Sequence, residues 1–375
     1  MNIGIDARGI NLYKGSGIGT YTKNLIFNLI NSNLKDNFNL LWTGNEDKSF
    51  IKKNTSLTYI SGRYNLFYED FYIPYWIKEK KLSLYHLPQN GLGIPLDSDA
   101  KIVTTIHDLI PYTMPETVGK GYLNKFLKEM PKIISSSSGI ITVSEYSKKD
   151  ILKFFPNFPS EKIYVTPLAA NENFKPLDKD SCKNVINNLF KIDSPFILYL
   201  GGFSSRKNVR NLILAIEKII KDLPYNYKLV LGGALQDEGE TLKKLVSDNN
   251  LEKDIIFTGY LKDSLLPIFY NAADVFIYPS YYEGFGLPPL EAMCCKTPVI
   301  TSNLTSIPEV TEDSALLINP SNKDELSDAI IKILKNPSLK EDLREKGYLQ
   351  SLKFSWKKTC KLTYDAYLSI LNDNL

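Results

Sequence analysis

Three apolar runs in this sequence each lead through a glycine-containing segment into a helical pattern, and this repeated order indicates an α/β fold with parallel sheets. The runs are NIGIDAR before KGSGIG, FILYL before GGFSSRKN, and ADVFIYPS before EGFGLPPLE. Each run has the length of a strand and is apolar enough to be covered on both faces. The chain of 375 residues is long enough for two domains of this kind.

Composition is typical of a globular protein that does not span a membrane. Hydrophobic residues make up 43% and charged residues 23% of the sequence, and no apolar run reaches the roughly 18 to 20 residues of a membrane-spanning helix. The first residues, MNIGIDARGI, lack the basic segment and long apolar core of a secretory signal. We therefore expect a cytoplasmic protein.

The net charge of +3 is unevenly distributed. Residues 1–170 contain 20 Lys and Arg against 15 Asp and Glu, whereas the remainder contains 25 against 27. This excess fits peripheral contact with the inner face of an anionic membrane or with a lipid diphosphate acceptor, and it fits ordinary solvated lysines equally well. No run is basic enough to indicate nucleic acid. The four cysteines form no C-x-x-C pair and there are two histidines, so neither a metal site nor a disulfide framework is expected.

The segment EGFGLPPLE has two glutamates on either side of a glycine loop and a helix start near Pro289. We expect Glu283 to accept hydrogen bonds from sugar hydroxyls and Glu291 to bind a ribose diol, as in a nucleotide-sugar site. A helix N-terminus attracts anions, so nearby backbone amides would face the phosphate and the sugar. These amides belong to Phe285, Gly286 and Leu287. The alternative is a plain helix with Glu283 near its positive end and Glu291 in solvent.

Arg206 and Lys207 follow the strand FILYL and precede a helix that starts near Asn208, a good N-cap residue. Two cations at this position are suited to neutralising a diphosphate. Without the surrounding motif, two adjacent cations are also typical of an ordinary solvent-exposed surface.

His107 and Asp108 follow the strand KIVTTI, where ligands bind in open α/β sheets. A histidine after a strand is more often a packing residue, and we favour that interpretation for His86.

The first glycine loop, GSGIGT, is similar to a dinucleotide fingerprint but has Thr20 where that fingerprint requires Gly or Ala. A tight turn with positive φ explains these glycines as well.

Together these strings resemble family 4 of the retaining glycosyltransferases. The matching elements are E-x7-E around GFGLP, G-x4-R-K-N, H-D-L-x-P-x-x-x-P and T-V-S-x-x-S. The resemblance implies the GT-B architecture, in which two Rossmann-like domains face each other across a cleft and a C-terminal helix crosses back to the first domain.

The resemblance also implies roles for individual residues. Arg206 and Lys207 would hold the donor phosphates and stabilise the leaving group, and His107 would reach the transferred sugar. Backbone groups of two segments complete the implied donor site: Gly17 and Gly19 beside the phosphate and the acceptor, and Gly259, Tyr260 and Leu261 at the nucleobase.

We therefore expect a retaining enzyme that needs no metal ion or other cofactor and transfers a hexose from a nucleotide-sugar to a glycan or lipid-linked glycan in surface polysaccharide biosynthesis. The string HDLIPYTMP resembles mannosyltransferases, which favours GDP-mannose, while UDP-hexose and dTDP-rhamnose remain open. Two functions of other classes are a dinucleotide-dependent oxidoreductase and a non-catalytic sugar-nucleotide-binding protein.

The expected boundaries are an acceptor domain at 1–170 with the crossing helix at 354–375, a linker at 171–195 and a donor domain at 196–353. The aromatic stretch from Tyr64 to Trp76 fits a packed core, an acceptor groove or a membrane-interface patch.

Overall fold

The computed structural model describes residues 1–61, 67–95, 98–223, 225–236 and 238–373, and the chain forms two compact units. The first unit comprises Met1–Leu168 with Ser355–Leu375, and the second comprises Ala169–Phe354. Each unit is built on one parallel β-sheet. The expected α/β class with two Rossmann-like domains is therefore confirmed.

The sheet of the first unit has seven parallel strands in the order β3-β2-β1-β4-β5-β6-β7. The strands are β1 (Asn2–Asp6), β2 (Asn37–Trp42), β3 (Thr55–Tyr59), β4 (Leu84–Leu87), β5 (Lys101–Ile106), β6 (Gly139–Thr142) and β7 (Ile163–Val165). Ile5 of β1 is fully buried and lies level with Leu40 of β2 and His86 of β4. Because the strands are parallel, the residues that follow them lie along one edge of the sheet.

Six helices connect these strands within the described residues. They are α1 (Gly9–Leu12), α2 (Gly17–Asn31), α3 (Ile73–Glu79), α4 (Ile110–Thr113), α5 (Lys120–Ser136) and α6 (Glu145–Phe154). Ser144 is the N-cap of α6, as predicted, and accepts a hydrogen bond from the backbone N–H of Ser147.

Helix α2 begins earlier than the sequence predicts. Ser16 caps it by accepting a hydrogen bond from the N–H of Gly19 at 3.2 Å, so Gly17 and Gly19 lie in its first turn and not in a loop. The alternative of a tight turn with positive φ does not hold for Gly17 and Gly19, because the positive φ of this segment, +80°, belongs to Gly15. Gly19 has a different reason to be glycine: a side chain would collide with the carbonyl oxygen of Tyr13.

The sheet of the second unit has six parallel strands in the order β10-β9-β8-β11-β12-β13. The strands are β8 (Phe196–Leu200), β9 (Lys228–Gly232), β10 (Ile255–Gly259), β11 (Val275–Tyr278), β12 (Val299–Ser302) and β13 (Leu316–Ile318). Its helices are α7 (Lys179–Phe190), α8 (Val209–Ile219), α9 (Gly239–Asp248), α10 (Leu266–Ala272), α11 (Leu287–Cys294), α12 (Ile307–Thr311), α13 (Lys323–Lys335) and α14 (Pro337–Ser351). Helix α7 lies within the expected linker 171–195, and its Cys182 and Ile186 are buried in the core of the second unit.

The last helix, α15 (Trp356–Asn372), belongs to the first unit. The hydroxyl of Tyr367 lies 2.7 Å from Nδ1 of His86. The hydroxyl of Thr359 donates to the carbonyl of Pro167 at 2.6 Å. These buried polar contacts fix the C-terminal helix onto the unit in which the chain begins.

The aromatic stretch divides between core and surface. Its residues 64–66 lie outside the described residues. A π-helical turn, Tyr68–Tyr72, leads into α3, where Trp76 is fully buried. Phe67, Phe71 and Tyr75 recur every four residues and are 57%, 67% and 63% exposed. The packed-core interpretation holds for the buried face, whereas the acceptor groove and the membrane-interface patch stay predictions for the exposed face.

Within the described ranges, none of the helices combines the length and the apolar composition that crossing a membrane requires.

The close approach at Gly19 predicts a selective effect of adding one methyl group. Gly19→Ala is expected to lower the free energy of unfolding by about 2 kcal/mol, because the new Cβ collides with backbone that cannot move aside cheaply. Gly121→Ala, in α5, meets no neighbouring atom and is expected to be neutral or to stabilise by roughly 0.5–1 kcal/mol. Chemical denaturation of the two variants tests this, and equal effects would contradict it.

Candidate active site

Two neighbouring strands bring the expected phosphate-binding and sugar-binding residues together. In the second unit β8 and β11 pair side by side. A 3-10 turn, Ser205–Lys207, follows β8, and the segment containing Glu283 follows β11. Because both strands point the same way, these segments meet at the carboxyl edge of the sheet.

Arg206 and Lys207 both contact the same oxygen of Glu283. The Arg206 Nη1 and Lys207 Nζ atoms lie 3.0 Å and 2.7 Å from Oε1. The Ser280 hydroxyl donates to this oxygen at 2.5 Å. No donor in the described part of the chain contacts Oε2. The cluster therefore carries an excess of one positive charge and leaves one carboxylate oxygen available.

The backbone around Glu283 is fixed by further hydrogen bonds. Arg206 donates from Nη1 to the carbonyl of Tyr282 at 2.5 Å, and its own carbonyl accepts from the N–H of Tyr281 at 2.9 Å. The Ser306 hydroxyl donates to the carbonyl of Glu283 at 2.8 Å. The charged side chains are thus held in place before any ligand binds, which reduces the reorganisation that binding requires.

The Glu283 carboxyl is ionised throughout the neutral range. Burial acts to raise its pKa, but the charges of Lys207 and Arg206 and their hydrogen bonds act in the opposite direction and lower the pKa to about 2. Glu283 is therefore a hydrogen-bond acceptor and not an acid at neutral pH. Lys207 also donates to the hydroxyl of Tyr278, at 2.6 Å.

Gly286 precedes α11 with a φ of +115°, which only glycine adopts readily. A Cβ at this position would also lie 2.7 Å from Cδ1 of Ile307. The helix begins Leu-Pro-Pro, and since proline has no N–H, the donors at this end are few. In the described chain, the N–H groups of Phe285, Gly286 and Leu287 donate to no acceptor, as the sequence predicts for ligand-facing amides.

Phe285 contributes backbone only. Its ring is buried and contacts the ring of Phe354, with centroids 5.8 Å apart. Its carbonyl lies 2.9 Å from the Ser306 hydroxyl, whose one proton it shares with the carbonyl of Glu283.

Glu291 has the opposite protonation behaviour to Glu283. It lies on α11, and its Oε2 accepts a hydrogen bond from the buried Tyr270 hydroxyl at 3.0 Å. Burial raises its pKa to about 8, although the Tyr270 hydrogen bond acts to lower it. At pH 7 this carboxyl is mostly neutral, so it both donates and accepts hydrogen bonds. Glu291 is partly buried and hydrogen-bonded, so a fully solvated position does not describe it.

The expected nucleobase segment follows β10 at the same sheet edge. Gly259 has a φ of +70°, and a Cβ there would meet open space. The Tyr260 side chain is exposed, whereas Leu261 is buried in the core of the unit. The carbonyl of Gly259 already accepts from the N–H of Gly233 at 3.0 Å, and the role of this segment with a base stays a prediction.

His107 lies in the first unit, directly after β5, with its ring largely buried. Its Nε2 lies 2.8 Å from the carbonyl of Pro88, so Nε2 carries the proton and Nδ1 is the acceptor. Its backbone N–H donates to Oδ1 of Asn90 at 2.8 Å. Burial lowers its pKa to about 4, against a smaller opposing effect of the Pro88 carbonyl. The neighbouring Asp108 accepts through Oδ1 from the N–H of Ile110 at 3.1 Å.

His86 is a packing residue. It is fully buried, and its ring nitrogens lie 2.7 Å from the Tyr367 hydroxyl and 2.8 Å from the Thr105 hydroxyl.

Sequence analysis missed a buried ionic pair at the end of β1. Arg8 donates from Nη2 and Nε to the Asp6 carboxylate at 2.6 Å and 2.9 Å, and Gln89 donates to the same carboxylate at 2.6 Å. The residues adjacent to Gln89, Pro88 and Asn90, hold His107. The motif D-A-R directly at the end of a predicted strand was the available signal.

The raised pKa of Glu291 predicts that the contribution of this residue to the stability of the protein falls as pH rises from 4.5 to 8. Between pH 4.5 and about pH 8 the unfolded chain loses the Glu291 proton while the folded chain keeps it, so this residue lowers stability as pH rises. Glu291→Gln cannot ionise and is expected to be more stable than the wild type by roughly 2–4 kcal/mol at pH 8 and about equal at pH 4.5. The Glu283 carboxyl of the folded protein titrates below this pH range, and its effect is the same in the wild type and in Glu291→Gln, so it does not alter the stability difference between them.

Denaturation midpoints at pH 4.5, 6, 7 and 8 test this, with Glu217→Gln as the control because Glu217 is an exposed glutamate of the same unit. A stability difference that does not change with pH would contradict the assignment.

Similarity to known proteins agrees with this site. The family described as glycosyl transferases group 1 matches residues 183–350. The chain is 35% identical over 291 residues to the O-antigen chain mannosyltransferase B of Escherichia coli, covering 78% of this chain and 75% of that protein.

Solved structures show the same fold. Sucrose-phosphate synthase from Thermosynechococcus elongatus matches with a TM-score of 0.78 at 21% identity, covering 100% of both chains. Anabaena Alr3699/HepE, solved in complex with UDP and glucose, matches with a TM-score of 0.77 at 15% identity, covering 98% of this chain and 99% of that one. The resemblance noted in the sequence is confirmed, which argues against a dinucleotide-dependent oxidoreductase. On the strength of the 35% identity across three quarters of each chain, the protein belongs to the glycosyl transferases group 1 family and is a glycosyltransferase with the GT-B fold.

Proposed function

We propose that this enzyme transfers mannose from GDP-mannose to a glycan or lipid-linked glycan acceptor during surface polysaccharide biosynthesis. The observation that supports donor binding most directly is the one-sided occupation of Glu283: three donors converge on Oε1, and Oε2 is left for a sugar hydroxyl. The choice of mannose is based on the similarity to O-antigen chain mannosyltransferase B.

Arg206 and Lys207 would stabilise the departing nucleoside diphosphate. Their charges exceed that of Glu283 by one, so an incoming diphosphate adds the missing negative charge to a cluster that is already oriented. The amides at the start of α11 add donors at the positive end of the helix. In the proposed reaction the bond from the anomeric carbon to the diphosphate breaks as the acceptor oxygen bonds to that carbon from the same face, and the leaving phosphate takes the acceptor proton. No metal ion is assigned a part in this scheme.

Glu283 is assigned to binding and not to covalent catalysis. A carboxylate whose charge is shared with two cations, with a pKa of about 2, is a weak nucleophile. Trapping of a glycosyl adduct on Glu283 would contradict this.

His107 is assigned to the transferred sugar. Its proton is committed to the Pro88 carbonyl, so Nδ1 is suited to accepting a hydrogen bond from a sugar hydroxyl. Glu291 is assigned to the ribose diol.

The donor assignment predicts selective binding of GDP. GDP is expected to raise the melting temperature, while UDP, ADP and dTDP have little effect, and GDP-mannose is expected to be the sugar donor in a transfer assay. Arg206→Ala combined with Lys207→Ala is expected to weaken GDP binding at least about 100-fold, because two charge-assisted hydrogen bonds are lost.

The matched control is Arg210→Ala combined with Lys218→Ala, which removes one arginine and one lysine from the exposed surface of α8. Stabilisation by UDP or dTDP instead of GDP would exclude GDP-mannose as the donor. Equal weakening of GDP binding by the two double variants would exclude Arg206 and Lys207 as the phosphate site.

Peripheral contact with an anionic membrane is a second part of the proposal. The stripe formed by Phe67, Phe71 and Tyr75 is exposed, and aromatic side chains are favoured at membrane interfaces. Burial raises the pKa of Glu69, on the same turn as this stripe, against the opposing charges of Arg8 and then of Lys125 in α5. Three exposed lysines recur on that helix: Lys125, Lys128 and Lys132.

Vesicle sedimentation tests this surface. Phe71→Ser combined with Tyr75→Ser is expected to weaken binding to phosphatidylglycerol vesicles about tenfold or more. Added salt is expected to weaken wild-type binding, because dissolved ions screen the attraction between the lysines and the anionic lipids. Leu349→Ser combined with Leu352→Ser removes two equally exposed apolar side chains from the second unit and is expected to have no effect. Wild-type protein that does not bind the vesicles would refute the proposal.

A further inference from the structure

A small cavity lies at the amino edge of the second unit's sheet, away from the candidate active site. Its volume is about 40 Å³, and its walls include Ala273 and Pro298, which come just before β11 and β12. Glu283 follows the other end of β11, and that strand of four residues spans roughly 13 Å. The cavity is therefore separate from the Arg206, Lys207 and Glu283 cluster.

The charged residues that line this cavity all have the same sign. They are Lys179, Lys296, Lys340 and Arg344, and no acidic residue is among the lining residues. These side chains come from α7, from the end of α11 and from α14, so the fold brings them together from distant parts of the chain.

One carboxylate behind the wall holds two of the cations. Lys179 Nζ lies 2.9 Å and Lys340 Nζ lies 2.5 Å from the same oxygen, Oδ1 of Asp274. Burial lowers the pKa of Lys179, and the attraction of Asp274 is partly cancelled by repulsion from Lys340. A single negative charge between two ammonium groups leaves an uncompensated positive charge beside the cavity.

Arg344 has an unmet hydrogen-bonding requirement. Its Nε–H is buried and has no acceptor, although its Nη1 lies 3.4 Å from Glu341. A buried donor without an acceptor costs stability, and an oxygen ligand in the cavity would remove that cost.

The volume limits what can bind. A single water needs about 10–15 Å³, so about 40 Å³ accommodates a tetrahedral oxyanion but not a nucleoside. A phosphate group carries nearly two negative charges at neutral pH and several acceptor oxygens. Outside the cavity lining, Lys296 pairs with Glu345 at 2.6 Å and Arg344 with Glu341 at 3.4 Å. With Asp274 counted, four cations face three carboxylates, which leaves one positive charge and the unpaired N–H of Arg344 for the anion.

We infer that this cavity is a binding site for a phosphate-bearing anion, either inorganic phosphate or the phosphomonoester head group of a lipid. This inference does not depend on the proposed donor or acceptor, because the residues that carry it are separate from those of the candidate active site.

Calorimetric titration of the full chain with inorganic phosphate, at constant ionic strength and with chloride as the exchanged anion, tests the inference. The titration is made in the Arg206→Ala and Lys207→Ala background, so that phosphate cannot bind at the diphosphate site. One saturable site is expected. Lys340→Gln is expected to weaken binding about tenfold or more, since one charge-assisted hydrogen bond is lost.

Two further variants make the result specific. Lys218→Gln removes an exposed cation that pairs with Asp324 in the same unit, and it is expected to leave phosphate binding unchanged. Arg344→Lys keeps the charge but removes the Nε–H, and it is expected to weaken binding less than Lys340→Gln. Arg344→Lys also provides the test if Lys340→Gln does not fold.

Vesicles containing phosphatidic acid, compared with phosphatidylcholine alone, distinguish the two sources of the phosphate group. Lys340-dependent binding of the phosphatidic acid vesicles without binding of free phosphate would assign the site to a lipid head group. Binding of neither probe, or equal weakening by Lys340→Gln and Lys218→Gln, would overturn the inference.

Discussion

The contact of two cations with one oxygen of Glu283 is the interaction on which the candidate site depends. Arg206 and Lys207 are 76 or more residues away from Glu283 in the chain, and only the parallel pairing of β8 with β11 brings their segments to the same edge. Burying three charges is costly unless they neutralise each other. Both cations pair with Oε1, which offsets part of this cost, and Oε2 keeps its capacity to accept from a ligand.

The two glutamates of the E-x7-E motif differ in chemistry although they lie on one short segment. Near Glu283 the charges of Lys207 and Arg206 outweigh the effect of burial, and the pKa falls to about 2. Near Glu291 the Tyr270 hydroxyl is neutral, so burial dominates and the pKa rises to about 8. Since diol hydroxyls donate most strongly to an ionised carboxylate, binding of a ribose at Glu291 would favour loss of its proton. In the proposed scheme the same motif would therefore provide one permanent carboxylate and one whose ionisation is linked to ligand binding.

The sequence predicts much of the fold because the signals are local. The apolar runs give the positions of the strands, and Ser144 and its neighbours give the start of α6. Tertiary contacts override local signals elsewhere. Asn208 occupies the N-cap position predicted for it, but its backbone is left-handed and its side chain donates to the carbonyl of Pro320 instead of capping α8. Nothing near Asn208 in the sequence indicates a partner 112 residues away.

The motifs identify the candidate residues of the site. They do not predict which carboxylate oxygen is occupied or which tautomer a histidine adopts. Which oxygen of Glu283 is occupied depends on Ser280 and on the backbone of Tyr282, whose positions are set by the folded loop. The tautomer of His107 likewise depends on the carbonyl of Pro88, 19 residues earlier. These properties arise from distances of about 3 Å that no periodicity or composition encodes.

Both edges of the second sheet hold a carboxylate between two cations, but the two sites lie at opposite ends of the α11 dipole. At each edge two cations share one oxygen of a single carboxylate, Glu283 at the carboxyl edge and Asp274 at the amino edge. Helix α11 runs between them, with its N-terminus beside Glu283 and its C-terminus followed by Lys296 at the cavity. A helix dipole favours anions at its N-terminus and disfavours them at its C-terminus. The cations at the amino edge therefore lie at the end of α11 whose dipole disfavours anions, whereas the Glu283 cluster lies at the end whose dipole favours them.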